Sequence, residues 1–251
     1  MSVTATEPGP PNSAPQASAT STAVVTSGGK ERLDHAVQML SPEFYDDAVF
    51  RYLHSTFQDD EKRHAFVHVF MRVLVKSALI EHGMVLEVSN WGAAGVLVPP
   101  GARLDGTLTL VRAKAVPAML KLGLKNVPRL FQYLEVVEKV KAKALTVDEK
   151  KKMWYCFIVA TASDRRRQGL ASAVLQEMQR LAVADGNRCL WLEASSLGAK
   201  KTYERQGFVT VEELTFGAGV VDRSGRLKKD GEGVQCWPMV WRPPRTAQAA
   251  S

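Results

Sequence analysis

Cysteine is scarce in this 251-residue chain: only Cys156, Cys189 and Cys236 are present. None belongs to a C-x-x-C pair and each lies in an apolar, strand-like run. That excludes a disulfide framework and points to buried free thiols in a reducing, cytoplasmic setting. Long hydrophobic runs are missing too. None approaches the roughly 18 apolar residues that span a bilayer, so no membrane partner is expected. Large apolar side chains are almost absent from residues 1–30, which are mainly Pro, Ser, Thr, Ala and Gly. Such a segment cannot bury enough surface to offset its ordering entropy and reads as disordered. It has no arginine, no basic residue before Lys30 and no apolar core, unlike a transit or secretory leader. The expected organisation is a disordered segment 1–30, one folded domain over 31–243, and a loose tail over 244–251. Internal repeats are lacking. So are aromatic residues interleaved with the lysines at Lys139, Lys141, Lys143 and Lys150 to Lys152, which read as a solvated face. The net charge of +7 therefore suits an anionic small ligand better than nucleic acid.

What is present centres on Trp154 to Ser172, WYCFIVATASDRRRQGLAS. An apolar strand breaks at Ser163-Asp164, passes Arg165-Arg166-Arg167, and enters a helix at Gln168-Gly169-Leu170-Ala171. A helix opening on small residues presents its unpaired first-turn N–H groups, and its dipole favours negative charge there. Gly169 lets a phosphate approach the backbone, and the arginines add forked donors.

Around this stretch the periodicity predicts short helices through Val37–Leu40, ending near Ser41-Pro42, and near Phe44–Tyr52. A longer helix is predicted over 60–82, with Phe66, Phe70, Val73, Ser77 and Ile80 on one face. Its His64 and His68 are four apart, but Ala65 stands where a zinc-protease motif needs Glu, so no metal is expected. A β-hairpin over 84–98 turns at Asn90-Trp91-Gly92. Residues 104–150 read as helices broken around 123–127, with Pro128 opening the second. A strand at 153–162 and a helix at 169–185 follow. A buried strand at 189–194 leads to a helix that Ser195 or Ser196 could cap, ending at Gly207. A hairpin of 208–216 with 234–241 brackets a polar loop, 217–233.

The second informative block is Leu192 to Phe208, LEASSLGAKKTYERQGF. The spacing R-x-x-G-x-A at Arg166, Gly169 and Ala171 resembles the pyrophosphate loop of the GCN5-related N-acetyltransferases (GNAT). The spacing A-x-x-x-Y-x-x-x-G-F at Ala199, Tyr203, Gly207 and Phe208 resembles their later motif. The two stand in the family's order, one strand-helix-strand unit apart. Within the family the chain is similar to the puromycin-acetyltransferase-like branch over most of 32–243. The likeness rests on Trp154-Tyr155-Cys156, Trp191 to Ser195, Thr202 to Phe208 and Cys236 to Met239. It departs where Thr161 and Ser163 replace a Val and a Pro before the loop, and where Ser196 replaces an Asn.

The resemblance implies an α/β GNAT fold, a mixed and mostly antiparallel sheet with helices on both faces. It implies acetyl-CoA as cosubstrate, held by Val159, Ala160, Thr161, Arg166, Arg167, Gln168, Gly169, Leu170, Ala171, Ser172, Ser196 and Tyr203. It further implies direct transfer to an amine in a ternary complex, a backbone N–H near Val159 facing the oxyanion, and Tyr203 as acid to the leaving thiolate. Glu193, an acid inside an apolar strand, is costly unless paired or functional. It reads as a base whose burial would raise its pKa, or as a partner of Arg188. The acceptor, expected to be a small-molecule amine, would be shaped by the early helices, the Trp91 hairpin and the 217–233 loop. A non-catalytic acyl-CoA-binding protein is the alternative reading. The sequence does not speak to oligomeric state.

Overall fold

A computed structural model describes residues 24–57, 59–123 and 125–244. Its strands form one twisted sheet in the order β1-β2-β3-β4-β5-β8-β6, with β7 also paired to β8. The ranges are β1 Val25–Gly28, β2 Met84–Val88, β3 Ala93–Val98, β4 Trp154–Thr161, β5 Leu190–Ala194, β6 Val209–Thr210, β7 Leu214–Phe216 and β8 Val234–Trp241. All neighbours pair antiparallel except β4 with β5. The expected mixed, mostly antiparallel architecture is therefore present.

The helices are α1 Leu33–Glu43, α2 Ala48–Leu53, α3 Asp60–Ile80, α4 Thr107–Arg112, α5 Ala115–Leu122, α6 Val127–Ala144, α7 Val147–Lys152, α8 Leu170–Ala184 and α9 Leu197–Arg205. They cover both faces, because the strands alternate inward positions with period two. Along β5, Leu190, Leu192 and Ala194 enter the cluster with Val174, Leu175 and Met178 of α8 and Tyr203 of α9. Trp191, from the opposite face, packs with Val137 and Val140 of α6. A third cluster seats α1 and α3 on Val85, Ala94, Val96 and Ile158. Helix α8 lies so close to β3 that a Cβ on Gly95 would fall 2.5 Å from Met178 Cε and 2.9 Å from Val174 Cγ1.

Several expectations are corrected here. Val25–Gly28, assigned to the disordered segment, pairs with Val85–Val88 as an edge strand. Main-chain pairing supplies what its poor apolar content could not, with Thr26 Oγ1 donating to Glu87 at 2.6 Å. Lys30 of the same expected segment opens a short 3-10 turn, Lys30–Arg32, while residues 1–23 and the tail residues 245–251 lie outside the described residues. Helix α1 runs through Pro42 to Glu43, because a proline in the last turn forfeits a single main-chain bond while Ala36, Val37 and Leu40 stay buried. The expected strand 208–216 is split into β6 and β7. Pro238 accepts from the Val211 N–H at 2.9 Å but has no N–H to return. Lys141, read as part of a solvated face, is buried.

Candidate functional site

The parallel pair β4–β5 holds together for two residues, Trp154 opposite Leu190 and Tyr155 opposite Trp191, and then parts. On its other edge β4 stays paired to β3 through Thr161, with an extra residue, Phe157, bulged out between Cys156 and Ile158. Antiparallel pairing turns alternate N–H groups toward β3. The remainder, between Phe157 and Thr161, face the gap beside β5. That gap opens into a groove of about 610 Å³.

One wall is the turn from β4 into α8 together with α9. Gly169 stands at the α8 N-cap with φ +78°, a conformation that favours glycine, and no side chain caps the helix. A Cβ there would meet nothing within 4 Å, and the first turn of α8 holds no acid. The first-turn N–H groups are thus open to an anion, with Arg167 beside them on the groove wall. Arg166 also lines the groove, but its guanidinium donates to Glu43 of α1 at 2.6 Å. Glu43 further accepts from the Ser163 N–H at 2.9 Å. Val159, Ala160, Thr161, Leu170, Ala171, Ser172, Ser196 and Tyr203 all line the groove. Gln168 does not: its side chain turns outward and accepts from Arg165 Nε at 3.2 Å. Ser196 caps α9, accepting from the Ala199 N–H at 3.2 Å, so its hydroxyl is already engaged.

Glu193 and Tyr203 reach the groove from opposite faces of the sheet. Glu193 projects on the α6 side and accepts from Tyr155 Oη and from Trp191 Nε1, each at 2.5 Å. It is not a partner of Arg188, which lies 3.8 Å from Asp185. Tyr203 comes from the α8 side, buried against Phe208. Burial, with Cys156 and Asp47 nearby, pushes its phenol well above the usual range, so it keeps its proton at neutral pH. The thiols are likewise protonated: burial pushes Cys189 up to about 11 and Cys156 and Cys236 higher still.

The opposite wall comes from α1, α2, α3 and α6, with Phe44, Phe50, Leu53, Phe70, Leu74 and Leu130. Among the described residues neither the Trp91 hairpin nor the 217–233 loop contributes to it. Trp91 stacks on His35 instead, with centroids 5.4 Å apart. This wall holds a carboxylate missed by sequence reasoning. Asp47 caps α2, accepting from the Phe50 N–H at 3.0 Å, and also accepts from the Ser195 hydroxyl. Burial holds its carboxyl above the usual range despite these two donors. An Asp before an apolar turn signals a helix cap, and nothing in the pattern told that this cap would face a groove. No three His, Cys, Asp or Glu among the described residues are grouped to hold a metal, and His64 stacks on Tyr45 with centroids 4.2 Å apart. No described helix is long and apolar enough to cross a membrane.

Comparison with known proteins agrees with this geometry. The Acetyltransferase (GNAT) family model matches residues 135–208, the span from α6 through both motifs. An uncharacterized N-acetyltransferase of Schizosaccharomyces pombe is 25% identical over 180 residues, covering 71% of each chain. A Corynebacterium glutamicum structure described as histone acetyltransferase HPA2 and related acetyltransferase superposes with a TM-score of 0.51. It is 19% identical and covers 90% of this chain and 98% of its own. Arylalkylamine N-acetyltransferase 2 of Aedes aegypti gives 0.55 at 12% identity, covering 88% and 99%. The likeness to the puromycin branch rests on the motif residues alone. A strand that parts from its parallel neighbour, an uncapped helix at the phosphate motif, the family match and the N-acetyltransferase relative lead to one reading: residues 135–208 match the GNAT acetyltransferase family, and together these findings indicate an acetyl-transferring enzyme of that type.

Proposed function

We propose that this enzyme transfers acetyl directly from acetyl-CoA to the amine of a small molecule with an apolar body. The observation that carries the reading is the placement of Glu193 and Tyr203 on opposite faces of the sheet, both lining the groove into which the gap between β4 and β5 opens. The open first turn of α8 and Arg167 would hold the pyrophosphate, and Gly169 leaves room for it. Glu193 takes the proton of the attacking amine, directly or through a water. A free N–H of β4 near Val159 faces the carbonyl oxygen as negative charge develops on it. Tyr203 gives its proton to the departing sulfur. With all three thiols protonated, a cysteine acyl-enzyme is disfavoured. The acceptor wall combines aromatic and aliphatic side chains with the carboxylates of Asp47 and Glu193, and the groove's cations, Arg166, Arg167 and Arg205, lie on the opposite wall. That supports a cationic amine without an anionic group, consistent with the arylalkylamine named for the mosquito structure.

The test is CoA release from acetyl-CoA against a panel of arylalkylamines, polyamines, aminonucleosides and lysine peptides. Turnover should be highest on an apolar primary amine. Preference for the peptides would overturn the acceptor, and thermal stabilisation by acetyl-CoA without turnover on any amine would overturn the transfer chemistry.

A further inference from the structure

Lys141 lies on the inward face of α6 with 11% of its side chain exposed. Its Nζ sits 4.9 Å from the ring centroid of Tyr155 and 5.7 Å from that of Trp191. The carboxylate facing it is Glu138, at 3.6 Å on its own helix, and the other oxygen of Glu138 is engaged by Lys150 at 2.5 Å. Taking an ammonium out of water is costly, and one shared, half-exposed carboxylate is poor compensation. The two rings supply the rest. They are also the two groups that donate to Glu193.

We propose that Lys141 is a positioning residue for acetyl transfer. Its ammonium fixes the faces of Tyr155 and Trp191 and so aims their donors at Glu193. This rests on Glu193 being the base of the proposed reaction. A cation over an aromatic face is attracted by the ring quadrupole, most strongly when desolvated. It also draws electron density from the ring and strengthens the O–H and N–H donors at the far edge. Tyr155 is set by β4 and Trp191 by β5, on the two sides of the seam where those strands part. One cation therefore pins the base at the point from which the groove opens. Lys141 is not itself among the groove-lining residues, and without it the packed rings would stay in place but lose the charge that sets their tilt and polarises their donors toward the carboxylate.

The experiment uses the full chain with acetyl-CoA and the best amine from the panel. It compares Lys141→Met, Lys141→Arg, Glu193→Gln and the Lys141→Met/Glu193→Gln pair. Lys141→Met should lower kcat by roughly 10-fold or more, the worth of a desolvated cation–π contact. KM for acetyl-CoA should stay within about twofold, since the phosphate wall is untouched. Lys141→Arg should recover most of the loss. The double variant should fall no further than Glu193→Gln alone. Wild-type kcat in Lys141→Met, or losses that multiply in the double variant, would overturn the proposal while leaving Glu193 as base. Wild-type kcat in Glu193→Gln would overturn both. If Lys141→Met does not fold, Tyr155→Phe serves instead. It keeps the ring and removes one donor, its loss should also be absorbed by Glu193→Gln, and multiplying losses count against the relay.

Discussion

At the scale of single residues, the proposed acid and base reach the groove from opposite faces of the sheet. Tyr203 is enclosed and stays neutral, so it carries the proton that its proposed role requires. Tyr203→Phe keeps the ring against Phe208 and removes the proton, so kcat should drop by roughly 10²-fold with little change in acetyl-CoA affinity. Steady-state kinetics with a binding titration checks this, and a wild-type rate would make the tyrosine structural. Glu193 is held as an acceptor by two donors. Glu193→Gln should hurt most at low pH, where the amine arrives protonated, and recover in part at high pH. A loss independent of pH would remove the base from the scheme. The candidacy of Tyr203 and Glu193, which both line the groove, was legible in the sequence, one by motif spacing and one by an acid's oddity within an apolar strand. Tyr155, Trp191, Asp47 and Lys141 were not. Each reads as an ordinary core, cap or surface residue until the sheet brings it to the seam.

Elements carry the proposed cofactor wall. Helix α8 begins uncapped because Gly169 has no side chain to offer its own N–H groups, which leaves them to a ligand. Gly169→Glu would place a carboxylate there and strain a residue at φ +78°. The variant should fold but lose the acetyl-CoA thermal shift, and a full shift would move the site elsewhere. The edge strand β1 makes a second test. A chain starting at Val24 should match the full chain in stability, whereas one starting at Gly29 should melt roughly 2–6 °C lower, the worth of one or two kcal/mol in a domain this size. Equal melting temperatures would mean that β1 adds nothing. Most helices and strands were readable because their apolar periods are long, as in α3 and α8. The boundaries that moved, at β1, Pro42 and β6–β7, are those where main-chain hydrogen bonding decides and side-chain pattern is silent.

For the molecule as a whole, the core holds a polar group with a cost. His54 is fully buried among Phe50, Phe66 and Phe70, and both ring nitrogens lack a partner. Burial, with the charge of Arg63 adding, pushes its pKa down to about 3. The unfolded chain binds this proton below about pH 6.5 and the folded chain does not until about pH 3. Stability is therefore lost as pH falls through that window, on the order of 1 kcal/mol per pH unit. Asp47, shifted up, acts in the opposite sense at its own site. Urea melts at pH 7, 6 and 5 should show the slope, and His54→Leu should flatten it. An unchanged slope would assign acid lability to other groups.

The parting of β4 from β5 has a mechanical side. A continuous sheet distributes load through its ladders, and this one contains an unzipped seam with an exposed edge inside its own body. Such an edge accepts whatever extended chain of amides is offered, in the manner of an added strand. Acetyl-CoA carries two amides along a flexible arm. Lying in the seam, it would serve as a removable strand, suturing the two half-sheets during turnover and releasing them when it leaves. Amide hydrogen exchange at Phe157–Thr161 should accordingly be fast in the free protein and slow in the complex. The β2–β3 ladder, already sewn on both sides, should hardly respond.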